Sequence, residues 1–311
     1  MRTLKTFGQA LDYVQALPWG TAAGTSRDAR MILKYAQAGA KIVTHGSNTK
    51  LPRAGDPRNF YYDPETAWSI NALRIPNRSL EKYIPELKTL KKEVNACGSE
   101  LWVSFSAGDK FIPEEYEAAN RVLFAEEAAD VTDNNASCPN LEVDGKLKQS
   151  VCFDPVAYEE YAAACRAGAG TNKISFKWAP VTDSGLQEKL IEKGKPYKPD
   201  YIDIANTVAG GYLELRGGKP AIPGVRGGLA GSIMIPIISG MILGMKPMLK
   251  ETGTKLLATG GVRSGEIAYG YLKLGADGFR FNTELYRRDG DPEVITEIGE
   301  GLAHHLLNMG F

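Results

Sequence analysis

Eight short runs rich in β-branched, aromatic and small apolar residues recur along the 311-residue chain, separated by longer segments with helical spacing. This alternation points to parallel strands, because each connection is long enough to carry a helix back across the sheet. The runs are Pro18–Gly24, Lys41–Gly46, Leu101–Ser106, Ala129–Ala136, Lys173–Trp178, Tyr201–Asn206, Lys255–Gly260 and Asp277–Asn282. Between them Pro113–Glu127, Asp154–Ala167 and Ser264–Leu274 read as helices, the last with an N-cap at Ser264 and a stop at Gly275. Eight strands make an α/β fold of the (β/α)8 TIM barrel type, with inserted active-site loops, the economical expectation. An open sheet of six to eight strands is the alternative. The length suits one barrel domain spanning residues 1–311, since such barrels run to roughly 250 residues before insertions.

Two stretches interrupt the alternation. Residues 47–80 are rich in Pro, Asn and Arg and lack a clear period, and residues 208–231 are rich in Gly. Unstructured connections this long in a compact domain are usually lids or binding loops. Lys+Arg and Asp+Glu both total 37, so there is no basic excess to bind nucleic acid. No long apolar run marks a leader or a membrane span. Ser232–Leu249, the most apolar stretch, is broken by Pro236, Pro247 and glycines and reads as a buried loop and helix, with a spanning helix as the minor alternative. The four cysteines, at 97, 138, 152 and 165, lack paired spacing, which points to a reduced, cytoplasmic protein. Three histidines, His45, His304 and His305, are too few and too scattered for a metal site.

In barrels, chemistry sits at the C-terminal ends of the strands. After the fourth run stands Asn135–Asn140, NASCPN, in which Cys138 lies between two carboxamides. A thiol there can act as a base if its pKa falls, and carboxamides can read an amide edge; a plain Pro-Asn turn is the competing reading. Lys177 stands inside the apolar run Ile174–Pro180 and must meet an anion, become neutral, or reach solvent on its stem. Asn206-Thr207 closes the sixth run as either a substrate contact or a cap. Thr259–Gly265, TGGVRSG, and Asn282-Thr283 follow the seventh and eighth runs, where barrels bind phosphate. Gly227–Gly231 is a third stretch that lets a ligand approach the backbone.

The order NxSCPN, FKWAP, Asn-Thr, GGLxG, TGGVxSG resembles the dihydroorotate dehydrogenase family, over about residues 17–290. Leu17–Gly24 is similar to the family's first strand, and Asn71–Asn77, NALRIPN, to its substrate loop. The resemblance implies FMN across the barrel mouth. Ala23, Gly24, His45, Gly46, Asn135, Lys177 and Ala205 would then meet the flavin, and Gly231, Gly260, Gly261, Asn282 and Thr283 its phosphate arm. It also implies a small-molecule substrate held by Asn71, Leu73, Arg74, Ile75, Asn135, Asn140, Asn206, Thr207 and His45. Cys138 would take a proton while a hydride leaves for the flavin, with Lys177 stabilising the reduced anion. A Cys base is implied for the soluble class, either a homodimer that passes electrons to fumarate or one that uses an iron–sulfur flavoprotein subunit. The homodimer is the expectation.

Three positions depart from the family pattern. His45 stands where a Lys contacts flavin and substrate carboxylate, so a fixed charge is lost there. Arg74 replaces a Gly and could pair with the carboxylate, block it, or face solvent. Asn282 replaces a Gly near the phosphate, where Asn would be the best-tolerated substitute in a left-handed backbone. A relative acting on another cyclic amide, a dihydropyrimidine or an activated alkene is therefore the main competing expectation. A non-redox phosphate-binding isomerase or aldolase is the alternative from another class, with Lys177 its one Schiff-base candidate.

Overall fold

The computed structural model describes residues 4–137, 142–143, 146–147 and 150–310; Cys138 and Asn140 lie outside the described residues. Eight parallel strands close into a barrel in chain order: Trp19–Thr21, Ile42–Asn48, Glu100–Phe105, Val131–Asn135, Lys173–Lys177, Tyr201–Ile204, Lys255–Thr259 and Gly278–Phe281. The last pairs with the first, Phe279 beside Trp19, so the sheet has no open edge. The expected closed barrel is thus what forms, and each of the eight runs supplies one strand. Several strands end earlier than the apolar runs suggest. The first stops at Thr21 because Ala22–Gly24 leave the ladder, the Ala22 N–H donating to Phe281 O (2.8 Å) and the Gly24 N–H to Gly46 O (2.5 Å).

Helices fill the connections. Asp28 caps Ala29–Gln37, accepting from the N–H groups of Arg30 and Met31. Asp154 caps Pro155–Ala169 and Ser264 caps Gly265–Leu274, which stops at Gly275 with φ 113°. Ser232–Leu249 yields one helix, Met234–Leu249. The N-terminal helix Phe7–Ala16 packs on the C-terminal helix Glu293–Met309.

The two insertions are not irregular loops. They build one antiparallel sheet in the order Val208–Tyr212, Arg226–Gly231, Trp68–Asn71, Phe60–Asp63. Its central pairing sets Gly228 beside Asn71 and Gly231 beside Trp68. A side chain at Gly227 would place its Cβ 2.5 Å from Asn71 O, so the close approach of these strands requires glycine.

The barrel interior has two levels. Lower down, Trp102 of the third strand meets Tyr201 of the sixth at 4.8 Å between ring centroids, a contact that crosses the ring, within an apolar cluster completed by Ile42, Val131 and Leu257. Above it Arg280 of the eighth strand reaches Asp133 of the fourth (3.1 Å) and Asp203 of the sixth (2.9 Å), with its guanidinium over the Trp102 ring. All three charged side chains are fully buried. Arg280 also donates to Thr44 Oγ1 and Thr21 O, and Thr259 Oγ1 donates to Asp203. Burial raises both carboxyls. For Asp133 the charges of Arg280 and Lys177 outweigh it and hold the pKa below the ordinary range; Asp203 stays above it, beside Asp133. This layer is a polar floor under the barrel mouth.

Candidate active site

A cleft of about 1200 Å³, its mouth included, opens above that floor between the strand ends and the inserted sheet. Ala22, Ala23 and Gly24 of the first strand end, Asn135 of the fourth, Lys177 of the fifth and Ala205–Thr207 of the sixth form its base. Gly260 and Gly261 follow the seventh strand and Asn282 and Thr283 the eighth. The inserted sheet supplies Phe60, Ser69, Asn71 and Ala230, and the segment after it Leu73, Arg74 and Ile75. Residues far apart in sequence therefore share one surface, as the barrel rule predicts.

The carboxamides are braced by one another. Asn135 Nδ2 donates to Ser47 Oγ (3.2 Å), and Asn135 Oδ1 accepts from the Ser137 N–H (3.1 Å) and from Asn206 Nδ2 (3.4 Å). Asn206 also donates to Ser137 O, and its Oδ1 accepts from the Thr207 N–H. No helix starts there, so Asn206 is not a helix cap. Lys177 Nζ lies 3.9 Å from Asp133 Oδ2 and is almost fully buried, so the snorkelling alternative does not hold. Two buried polar atoms on the cleft, Thr207 Oγ1 and Asn282 Oδ1, have no hydrogen-bond partner among the described residues. Buried polar atoms are nearly always paired, so such orphans mark where a ligand would bond.

Gly261 sits at φ 76°, and a Cβ there would come within 2.6 Å of Ile235 Cγ1. Gly231 lies beside the cleft, in a recess it shares with Gly261, Ser232 and Thr283. Arg74 and Ile75 take left-handed φ angles of 59° and 55° in succession, rare for any side chain and rarer for a β-branched one. The turn is tied down: Arg53 donates to Arg74 O while its guanidinium grips Asp109, and Asn77 Nδ2 donates to Ile75 O.

Three expectations need correction. His45 does not line the cleft. Its ring is buried against Tyr83 (4.6 Å, edge-on) and its Nδ1 meets Asn48 Nδ2 at 3.1 Å. Strand alternation is the cause: Thr44 turns into the barrel, where its Oγ1 accepts from Arg280, so His45 faces the helix layer, and the register shift that follows, between His45 and Asn48, accompanies the arrival of Ser47 at the cleft. Gly46 likewise stays behind the wall; its C=O accepts from Gly24 and its N–H donates to Ser26 O. Asn282 has φ −145°, so it needs no left-handed tolerance.

Sequence reasoning missed Arg27. It lines the cleft, and its Nε and Nη2 both donate to Ser47 O, at 3.2 and 2.8 Å. The available signal was a cation three residues past the first apolar run, which ends at Gly24, where barrel sites are built. It also missed the Asp133–Asp203–Arg280 floor, although charged residues inside otherwise apolar strands were there to be noticed. Among the described residues the cleft lining holds three cations, Arg27, Arg74 and Lys177, and no carboxylate. Its field favours an anionic occupant.

Comparison with known proteins agrees with this architecture. The family model described as dihydroorotate dehydrogenase matches residues 9–306. The catalytic subunit of dihydroorotate dehydrogenase B (NAD(+)) from Trichlorobacter lovleyi is 26% identical over 271 residues, covering 86% of this chain and 82% of that protein. Dihydroorotate dehydrogenase A (fumarate) from Lacticaseibacillus paracasei is also 26% identical, over 259 residues, covering 81% and 82%. Among solved structures, the DHODH of Eimeria tenella in complex with ferulenol superposes with a TM-score of 0.79 at 16% identity, covering 94% of this chain and 82% of that one. That likeness concerns the fold, whereas the match across residues 9–306 settles kinship: the chain belongs to the dihydroorotate dehydrogenase family.

Proposed function

We propose that the protein is an FMN-dependent dehydrogenase that oxidises dihydroorotate, a cyclic amide carrying a carboxylate, at a carbon–carbon single bond. The observation that carries this reading is the convergence of Lys177, Asn71, Asn135, Asn206 and Thr207 on one cleft whose lining, among the described residues, has cations but no carboxylate. The residues present fit FMN. Asn282 Oδ1 and Thr207 Oγ1 have no partner among the described residues, and Gly260 and Gly261 line the cleft without side chains. Ala23, Gly24 and Ala205 would lie against the isoalloxazine and Lys177 at its edge. Gly260, Gly261, Asn282 and Thr283, with Gly231 beside them, would hold the phosphate arm. FMN supplies a two-electron acceptor when bound.

The chain's own residues would orient the substrate and move its proton. Asn71, Asn135 and Asn206 offer donors and acceptors to the ring amides, and the bonds of Asn135 to Ser47 and Asn206 fix two of those groups before substrate arrives. Cys138 would accept the proton from the ring carbon. Lys177, held above Asp133, keeps a positive charge where negative charge grows. A neutral dihydropyrimidine would offer no anion to Arg27, which lines the cleft, and this favours the carboxylate-bearing substrate. For the electron acceptor, relatives carry names of both the NAD(+) and the fumarate types. A homodimer using fumarate stays the proposal, with an iron–sulfur subunit as the competing arrangement.

The test is a visible spectrum of the purified protein followed by anaerobic addition of dihydroorotate. Loss of the flavin band supports the reading. A yellow protein that does not bleach removes dihydroorotate, and a colourless one that cannot take up FMN removes the cofactor. Fumarate turnover by the protein alone would separate the two acceptor arrangements.

A further inference from the structure

Ser104 lies near the end of the third strand and outside the cleft lining. It is fully buried, and its carbonyl accepts from Asn48 Nδ2 at 3.0 Å. Its hydroxyl stands between two partners: Ser47 Oγ, 2.8 Å away at the cleft wall, and the carboxylate of Asp133 in the polar floor. Beyond Ser47 comes Asn135, whose Nδ2 is 3.2 Å from Ser47 Oγ. Side chains from the second, third and fourth strands thus form one hydrogen-bonded line from the floor to the cleft: Asp133, Ser104, Ser47, Asn135.

A hydroxyl can donate or accept, so the two serines by themselves leave the direction of this line open. Its far end closes the choice. Asp133 is paired with Arg280 (3.1 Å) and Lys177 (3.9 Å), which keep it ionised, and an ionised carboxylate only accepts. Ser104 therefore donates to Asp133 and must accept from Ser47. Ser47 in turn spends its proton on Ser104 and must accept from Asn135. The near end agrees: Asn135 Oδ1 accepts from the Ser137 N–H, a backbone donor with no choice of role. Tyr116 Oη donates to Asn135 O at 2.8 Å, so the backbone carrying the carboxamide is fixed as well. Every bond points from Ser137 toward the floor. The oxygen of Asn135 is engaged, one N–H goes to Ser47, and the other N–H is what the side chain has left to offer the cleft.

We infer that Ser104 is a positioning residue for the substrate-reading carboxamide: through Ser47 it ties Asn135 to the ionised floor and holds it as a hydrogen-bond donor toward the ring. The inference rests on the function proposed above. It gives the floor a part in recognition besides carrying charge beneath the cleft, and it places that part on a residue outside the cleft lining.

The experiment titrates the FMN-loaded protein with orotate, following the perturbation of the flavin band, in four forms: wild type, Ser104→Ala, Asn135→Ala and the double variant. FMN content and melting temperature are recorded for each. In S104A the Ser47 proton is released and Asn135 loses its committed acceptor, so orotate should bind about 3- to 10-fold more weakly, the worth of one hydrogen bond. In the N135A background the same change should move orotate binding by under about 2-fold, because the group it acts on is gone. Unchanged orotate affinity in S104A overturns the inference. So does an equal loss in both backgrounds, which routes the effect through Asp133 and Lys177 instead of Asn135, or a selective loss of FMN in S104A, which assigns the line to the cofactor. A role in packing alone lowers the melting temperature in both backgrounds and produces no difference in binding between them. Should S104A not fold, Ser104→Cys takes its place, a thiol being a weak donor of similar size, and the same comparison with N135A decides. Wild-type protein that takes up FMN but does not bind orotate removes the proposed function and this inference with it, whereas orotate binding indifferent to Ser104 removes this inference alone.

Discussion

Lys177 and Asp133 face each other across 3.9 Å at the bottom of the cleft, and Asp133 shares its other side with Arg280. The ammonium of a residue that opens onto the ligand space is thereby tied to a buried ion network that spans the barrel from the fourth to the eighth strand. Removing one member of such a network leaves the others buried and uncompensated, at a cost of about 3–5 kcal/mol. Asp133→Asn should accordingly lower unfolding stability by that order in urea titrations. A change under about 1 kcal/mol would show that the floor relaxes without it.

Lys177→Met addresses the chemistry instead. Removing a charge aimed at the place where charge develops costs roughly 10²-fold or more in rate. Stopped-flow reduction of the bound flavin by dihydroorotate should slow by that order while orotate still binds within a few-fold. A large loss of orotate binding with an unaltered reduction step would make Lys177 a binding residue only.

His45 gives a pH signature. Burial, with Arg27 nearby, pushes its pKa down to about 3, against about 6.5 in the unfolded chain. Between those values the unfolded state binds a proton that the folded state refuses, so stability rises with pH. The contribution is complete above about pH 6.5 and is lost as pH falls toward 3, at about 1.4 kcal/mol per unit where the difference is one full proton. His45→Gln should flatten the fall in stability between pH 6 and pH 4 relative to wild type. Parallel curves for the two proteins would mean that His45 is not held neutral.

How much of this was legible in the sequence depends on what each residue does locally. The eight strands could be read because each carries its own apolar run, and the helix at Gly265–Leu274 because Ser264 and Gly275 mark both ends. The carboxamides and Lys177 were legible as polar residues at strand ends. The inserted sheet was not, since its central strand, Arg226–Gly231, is glycine-rich and has no alternation to announce a strand; its partner Trp68–Asn71 lies more than 150 residues away. His45 was misplaced because strand alternation puts it on the face opposite Thr44, whose hydroxyl meets Arg280 inside the barrel, and nothing in THGS declares which of the two turns inward. Arg27 went unnoticed because an Arg near a helix start reads as an ordinary surface residue until Ser47 is seen to hold it.

Cys138 can be separated chemically from the other thiols. Cys152 and Cys165 are fully buried, and burial pushes the Cys152 thiol up to about 12 and that of Cys165 well above its ordinary value. Neither forms the thiolate that alkylating agents need near neutral pH. Cys97 is exposed and will react, so it is best removed first as Cys97→Ser. In that variant iodoacetamide at pH 8 should modify a single thiol per chain, orotate should slow the modification, and dihydroorotate oxidation should vanish in proportion to labelling. Cys138→Ala should then abolish labelling and slow flavin reduction by about 10²–10⁴-fold, the range for loss of a positioned base. Rapid labelling of a second thiol would mean that the layer between helix and barrel around Cys152 opens in solution. Full activity after stoichiometric modification would remove Cys138 from the proton transfer.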